Sequence, residues 1–149
     1  MKSTKKRSIN DELIFAIGNM YLVLNQQITN FLKPYGLTPA KLNILYLARE
    51  IGGKEGASQS QISSGLVVSA ANITRLIDSL EKIGLLKRFA SADDRRVNLI
   101  KITDKGRSLL DEVLPKYADF ITNVFSSFSK KEKETFLFLI RKTVNVFVD

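Results

Sequence analysis

From Leu13 to Leu32 the apolar residues recur at steps of three and four. Leu13, Ile14, Ile17, Tyr21, Leu24, Ile28, Phe31 and Leu32 form one stripe, predicting a long helix from Asp11 that Pro34 and Gly36 stop. Met20 and Val23 widen the stripe beyond what one neighbouring helix needs. Thr38 is a natural N-cap, and Pro39 takes the first helical position, where its missing N–H costs nothing. A second helix follows with Leu42, Ile44, Leu45, Leu47 and Ala48, ending before Gly52-Gly53. The Gly- and charge-rich stretch 52–57 reads as a linker.

Ser58 and Gln61 have capping-box spacing and open a short helix that runs to Gly65. Leu66-Val67-Val68 forms a turn, and Ser69 caps the next helix. On that helix Ile73, Leu76, Ile77 and Leu80 share one face, while Ala71, Asn72, Arg75, Asp78 and Ser79 lie opposite. Gly84 ends it. Two strands, Leu86–Phe89 and Val97–Ile102, then make a ribbon whose tip carries Asp93-Asp94-Arg95-Arg96.

Thr103 caps the following helix, with Asp104 beside its positive end. Its stripe runs through Leu109, Leu110, Val113 and Leu114, across a kink expected at Pro115, and on through Tyr117, Phe120, Ile121, Val124, Phe125 and Phe128. Ser129 with Glu132 opens a last helix bearing Phe136, Leu137, Leu139, Ile140, Val144 and Phe147.

Two short helices followed by a basic hairpin describe a winged helix-turn-helix. The expected fold class is therefore mainly α with a small β-wing. Residues 38–106 form the winged helix-turn-helix, residues 11–37 and 107–149 the flanking dimerisation helices, and residues 1–10 a disordered basic arm. Apolar residues on more than one face of a terminal helix suit a subunit interface. A dimer also suits a DNA reader, because two-fold operators present half-sites roughly 34 Å apart.

Charge agrees with this reading. Lys and Arg number 23 against 15 Asp and Glu in 149 residues, a formal +8, which attracts phosphate polyanions or anionic membranes. The longest apolar runs are far shorter than the roughly 18 residues of a membrane span. The basic start, with Lys2, Lys5, Lys6 and Arg7, leads into polar residues rather than an apolar signal segment. The expectation is a soluble cytoplasmic protein without a membrane partner.

Two absences narrow the chemistry. Without Cys there is no disulfide, thiol sensor or thiolate metal site, and without His the commonest metal ligand and general base is missing. No phosphate-cradling Gly loop, EF-hand loop or nucleophile elbow is present. The chain is read as a non-enzyme without metal or cofactor.

Five segments together resemble the MarR family, the multiple-antibiotic-resistance regulators. They are Leu32-Lys33-Pro34-Tyr35-Gly36-Leu37-Thr38, Val68-Ser69-Ala70-Ala71-Asn72-Ile73-Thr74-Arg75-Leu76, Leu80-Glu81-Lys82-Ile83-Gly84-Leu85-Leu86-Lys87-Arg88, Asp94-Arg95-Arg96 and Ile102-Thr103-Asp104-Lys105-Gly106. The resemblance covers nearly the whole chain, Leu13 to Phe147. Lys41 stands where many members have Gln, and Ala70-Ala71 where Pro-Ser is common; the second departure bears on operator sequence. The resemblance implies a homodimeric regulator, here a repressor of nearby genes, that binds a palindromic operator in double-stranded DNA. It also implies release by a small phenolic or lipophilic ligand seated between dimer region and reader.

Residue by residue, Asn72 and Arg75 carry the donors that read adenine and guanine edges, with Ala71 beside them on the exposed face. The Ser69 hydroxyl suits a phosphate at the helix N-terminus, and Gln61, Thr74, Lys87 and Arg88 suit backbone positioning. Arg95 and Arg96 belong at the wing tip, Arg96 near or in a minor groove. Asp94 repels phosphate and suits pairing with Arg75 or Arg96, which would hold the wing. Ile17, Met20, Tyr21, Leu24 and Tyr46 are the expected ligand-pocket residues, although such residues at helical spacing more often form core. A second reading keeps the fold but binds a protein instead of DNA. Acidic residues replacing Arg75 and Arg96 would mark it, and neither is present.

Overall fold

Ser8 caps the first helix, α1 (Ile9–Leu32), which begins two residues ahead of the Asp11 start that periodicity suggests. Its hydroxyl accepts from the Asp11 N–H, and the Asp11 carboxylate accepts in return from the Ser8 N–H. The computed structural model describes residues 8–53, 55–66, 70–91 and 98–147. It divides into two compact units, one up to Asp111 and one from Glu112.

In the first unit a single 3-10 turn over Lys33–Tyr35 ends α1, where Pro34 lacks the N–H to continue it. Thr38 then caps α2 (Pro39–Glu50), its Oγ1 accepting from the Lys41 N–H at 3.3 Å. The chain continues as β1 (Ala57–Ser58), α3 (Gln59–Ser64), α4 (Ala70–Lys82), β2 (Leu86–Ala90) and β3 (Asn98–Ile102). The last two helices are α5 (Asp104–Val124), which begins in this unit, and α6 (Lys130–Asn145).

The sheet has three strands, not the two expected. Its order is β1-β3-β2, antiparallel throughout, with Ala57 opposite Ile100, Ser58 opposite Leu99 and Leu86 opposite Ile102. A two-residue strand inside a Gly-rich linker shows no alternation to read. It forms because β3 offers its outer edge and because Ala57 is fully buried there.

The core of this unit draws Leu42, Ile44, Leu45 and Ala48 from α2, Ile62 from α3, and Ile73, Ile77 and Leu80 from α4. Leu86, Ile100 and Ile102 add one face of the sheet. Helix α2 packs on α3, α4 and β3, and α4 packs on β2. Each large side chain removed from water contributes about 1.5–3 kcal/mol, so this shared core sets where α4 lies.

The end of α4 is fixed by several hydrogen bonds. Gly84, at φ 76°, lets the Leu85 N–H reach the Leu80 carbonyl and its own N–H reach that of Glu81, a Schellman pair. Thr103 Oγ1 donates to the Gly84 carbonyl at 2.7 Å and accepts from the Gly106 N–H at 3.1 Å. The Lys105 ammonium donates to the Ile83 carbonyl at 2.9 Å. Gly106 is needed for this approach, since a Cβ there would press on the Leu85 carbonyl and the Ile102 side chain. Gly106→Ala is therefore expected to cost about 1–3 kcal/mol by overpacking. Thermal unfolding followed by circular dichroism measures it, and an unchanged midpoint contradicts the close approach.

In the second unit α5 continues through Pro115 to Val124, and Ser129 caps α6 reciprocally with Glu132. Ile121 and Phe125 of α5 and Phe136, Leu137 and Ile140 of α6 border a groove of about 370 Å³. Hydrogen bonds from the Ser129 hydroxyl and N–H hold the Glu132 carboxyl below the ordinary carboxylate range. A depressed folded value means the cap is intact above the unfolded pKa and is lost as pH falls through the folded one. Protection factors of the amides at the start of α6, corrected for the intrinsic pH dependence of exchange, are expected to fall only in acid, and equal protection in neutral and acidic solution contradicts the cap.

Candidate nucleic-acid interface

Helix α4 has two distinct sides. Ile73, Ile77 and Leu80 are fully buried, whereas Ala71, Asn72 and Arg75 are exposed. The expected reading edge thus faces outward from a helix anchored on its other side. Gln59 Nε2 donates to Thr74 Oγ1 at 2.8 Å, a part-buried bond that ties α3 to α4. Thr74 therefore carries an α3–α4 contact as well as any contact to a phosphate. At the other end Thr103 and Lys105 secure the α4 terminus. Reading side chains on so fixed a helix keep their register.

Arg88 lies where β2 runs alongside α4. Its Nη1 is 2.6 Å from Asp78 Oδ1 and 2.9 Å from Glu81 Oε2, and Glu81 Oε1 accepts from the Arg88 backbone N–H. Its guanidinium is thus engaged within the chain. Lys87, next to it, is exposed and pairs in register with Lys101 across the ladder. Gln61 is exposed, but its Oε1 accepts from both the Ser58 N–H and the Ser58 hydroxyl. Its amide nitrogen remains as a donor. Ser69, Asp94, Arg95 and Arg96 lie outside the described residues, as do Lys2, Lys5, Lys6 and Arg7.

The expected pocket residues separate. A cleft of about 560 Å³ is lined by Tyr21, Asn25 and Thr29 of α1, by Thr38, Pro39, Ala40 and Asn43 at the start of α2, and by Gly65 and Leu66 after α3. A smaller cleft of about 230 Å³ shares Asn43, Gly65 and Leu66 and adds Tyr46 and Leu47. Tyr21 and Tyr46 line one cleft each; Ile17, Met20 and Leu24 line neither. The polar residues Asn25, Thr29 and Asn43 escape a search for apolar stripes because they sit on the helices' polar flank. The Arg49 guanidinium lies 5.7 Å from the Tyr46 ring centre and also pairs with Asp111.

Gln59, Glu81, Lys105 and Thr103 in its second role also fix α4, and the sequence pattern does not single them out. Glu81 had a signal, since it follows Asp78 by three residues and so shares a helix flank with it. Among the described residues, no group of three or more acidic side chains is placed to hold a metal ion. No described helix is long and apolar enough to cross a membrane.

Residues 37–97 match the model of the MarR family. The chain is 31% identical over 123 residues to the HTH-type transcriptional regulator MhqR of Bacillus subtilis, covering 83% of each chain. The chain belongs to the MarR family. As a member it is a DNA-binding transcriptional regulator with a winged helix-turn-helix fold. Solved MarR-like structures share that fold at lower identity. The organohalide-sensing regulator RdhR in its 2,4-dichlorophenol-bound form superposes with a TM-score of 0.88 at 18% identity, covering 99% of this chain and 86% of that one. The Staphylococcus aureus MepR–DNA complex gives 0.79 at 18% identity, covering 93% and 99%.

Proposed function

We propose that this MarR-family protein is a cytoplasmic homodimeric repressor of nearby genes, bound to a palindromic operator and released by a small ligand. The observation that carries the reading is the exposed Ala71–Asn72–Arg75 edge, set opposite the wholly buried Ile73–Ile77–Leu80 face of one helix. Residues 38–106 form the reader, residues 8–37, with α1 starting ahead of the expected Asp11, and 107–149 the dimerisation region, and residues 1–7 a basic arm. Asn72 and Arg75 contact bases, while Gln61, Ser69, Ala71, Thr74 and Lys87 set the helix on the backbone. Arg95 and Arg96 carry the wing to the neighbouring groove, with Asp94 supporting it. Regulation of this kind uses no cofactor and no catalysis.

The cleft beside Tyr21 supplies the ligand site. It joins α1 to the start of α2 and the end of α3, so a phenolic or lipophilic molecule there contacts the dimer region and the reader together. Such a molecule releases DNA only to the extent that it binds the DNA-free arrangement more tightly. The phenol carried by RdhR in its structure supports that chemical class.

Selection of binding duplexes from a random pool, followed by footprinting, tests this reading. Enriched sequences are expected to be inverted repeats with half-sites about one helical turn apart, each duplex taking two protomers. Addition of 2,4-dichlorophenol is expected to weaken binding to the enriched duplex. Enrichment of single half-sites by a monomer contradicts the dimeric reading, and undiminished binding with the phenol contradicts that ligand class.

A further inference from the structure

The reading helix carries two carboxylates on the flank beside the wing, and a single wing arginine meets both. Arg88 Nη1 bridges Asp78 Oδ1 at 2.6 Å and Glu81 Oε2 at 2.9 Å. The other Glu81 oxygen takes the Arg88 backbone N–H at 2.9 Å. Glu81 thus grips the main chain and the guanidinium of the same residue. The cluster holds one positive and two negative charges, leaving it net negative at the side of a surface that meets a polyanion.

That arrangement has a physical consequence. A cation on a DNA-facing surface adds sequence-independent affinity by releasing counterions. What a regulator needs is the ratio of specific to non-specific binding. A guanidinium held by two carboxylates reaches a phosphate only by breaking charge-assisted hydrogen bonds. Its strand, β2, is meanwhile fastened to α4 through those bonds, which sets the wing's base relative to the reading edge.

We propose that Asp78 and Glu81 withhold Arg88 from the DNA backbone, making Arg88 a positioning residue that couples the wing to the reading helix. The proposal rests on the DNA-binding reading above. It separates Arg88 from its neighbour Lys87, which is exposed and takes the ordinary phosphate role. It also assigns a purpose to acidic residues on a helix that binds DNA: they limit non-specific affinity while fixing geometry.

A double-mutant cycle on a short fluorescein-labelled random-sequence duplex tests the clamp, with anisotropy read over a series of salt concentrations. The four proteins are the wild type, Arg88→Ala, Asp78→Asn/Glu81→Gln, and the triple variant. In Asp78→Asn/Glu81→Gln the freed Arg88 is expected to tighten binding and steepen the log-affinity-versus-log-salt slope by about one unit per protomer. Adding Arg88→Ala to that background is expected to remove the extra unit, whereas Arg88→Ala alone leaves the slope near the wild-type value. An equal change on removing Arg88 in both backgrounds, zero included, overturns the proposal, because Arg88 is then an ordinary charge. Wild-type protein that binds no duplex overturns the DNA-binding reading itself, a result distinct from failure of the clamp. Circular dichroism checks folding, and Arg88→Gln, which keeps most of the stem, takes the place of Arg88→Ala if the latter unfolds.

Discussion

The full chain is expected to sediment as a dimer, and chains ended after Phe128 as monomers. Helix α6 leaves Leu137, Phe138, Leu139, Ile140 and Val144 exposed, and Phe138 shows 62% of its surface. Helix α1 leaves Ile14, Phe15, Tyr21, Leu22 and Val23 exposed as well. An isolated protomer rarely shows that much apolar surface on two helices. Burying five such side chains contributes of order 10 kcal/mol before the cost of association, which is the scale of a stable dimer. Removing α6 is expected to take away its share of the buried area that the proposed dimer needs. Sedimentation velocity gives the assembly state, and circular dichroism confirms that the first unit keeps its helices. A truncated chain that remains a well-folded dimer contradicts the proposed dimerisation region.

The second large effect concerns Arg75. Arg75→Ala is expected to cost about 1–3 kcal/mol in operator binding, roughly 5- to 150-fold, and to relax preference at one operator position. The residue is exposed on the edge opposite the buried face of α4, so truncation leaves the core of α4 untouched. Arg75→Lys retains charge but lacks the planar fork that meets a guanine edge at two points, so it is expected to recover backbone affinity without base preference. Selection of duplexes with each variant measures both quantities. Equal losses on every sequence, with the base preference intact, contradict base reading by Arg75.

Much of this architecture was legible because local signals agreed with one another. The Ser58–Gln61 and Ser129–Glu132 capping boxes appear as the spacing suggests, and so does the Thr38-Pro39 start of α2. Ile73, Ile77 and Leu80 are buried together as their period requires. Ser8 was missed because Asp11 reads as a first-turn acid whether or not a cap precedes it. Strand β1 was missed because its stability comes from β3, forty residues on, and not from its own two residues. Exposure was legible where it follows from helical period, as with Asn72 and Arg75. The site was not legible where a side chain has a choice of partner: Arg88 looks like any surface cation until Asp78 and Glu81 are placed beside it. The cleft escaped for a related reason, since Asn25, Thr29 and Asn43 converge only once α1 and α2 are packed.

This chain is expected to read DNA sequence through the exposed edge of α4. The most direct measurement is the ratio of affinities for a selected operator duplex and for a scrambled duplex of the same composition, at one fixed salt concentration. Fluorescence anisotropy with wild type and Arg75→Ala gives it. A wild-type ratio of about a thousandfold or more is expected, reduced in Arg75→Ala mainly through loss of operator affinity. Equal wild-type affinity for the two duplexes contradicts it.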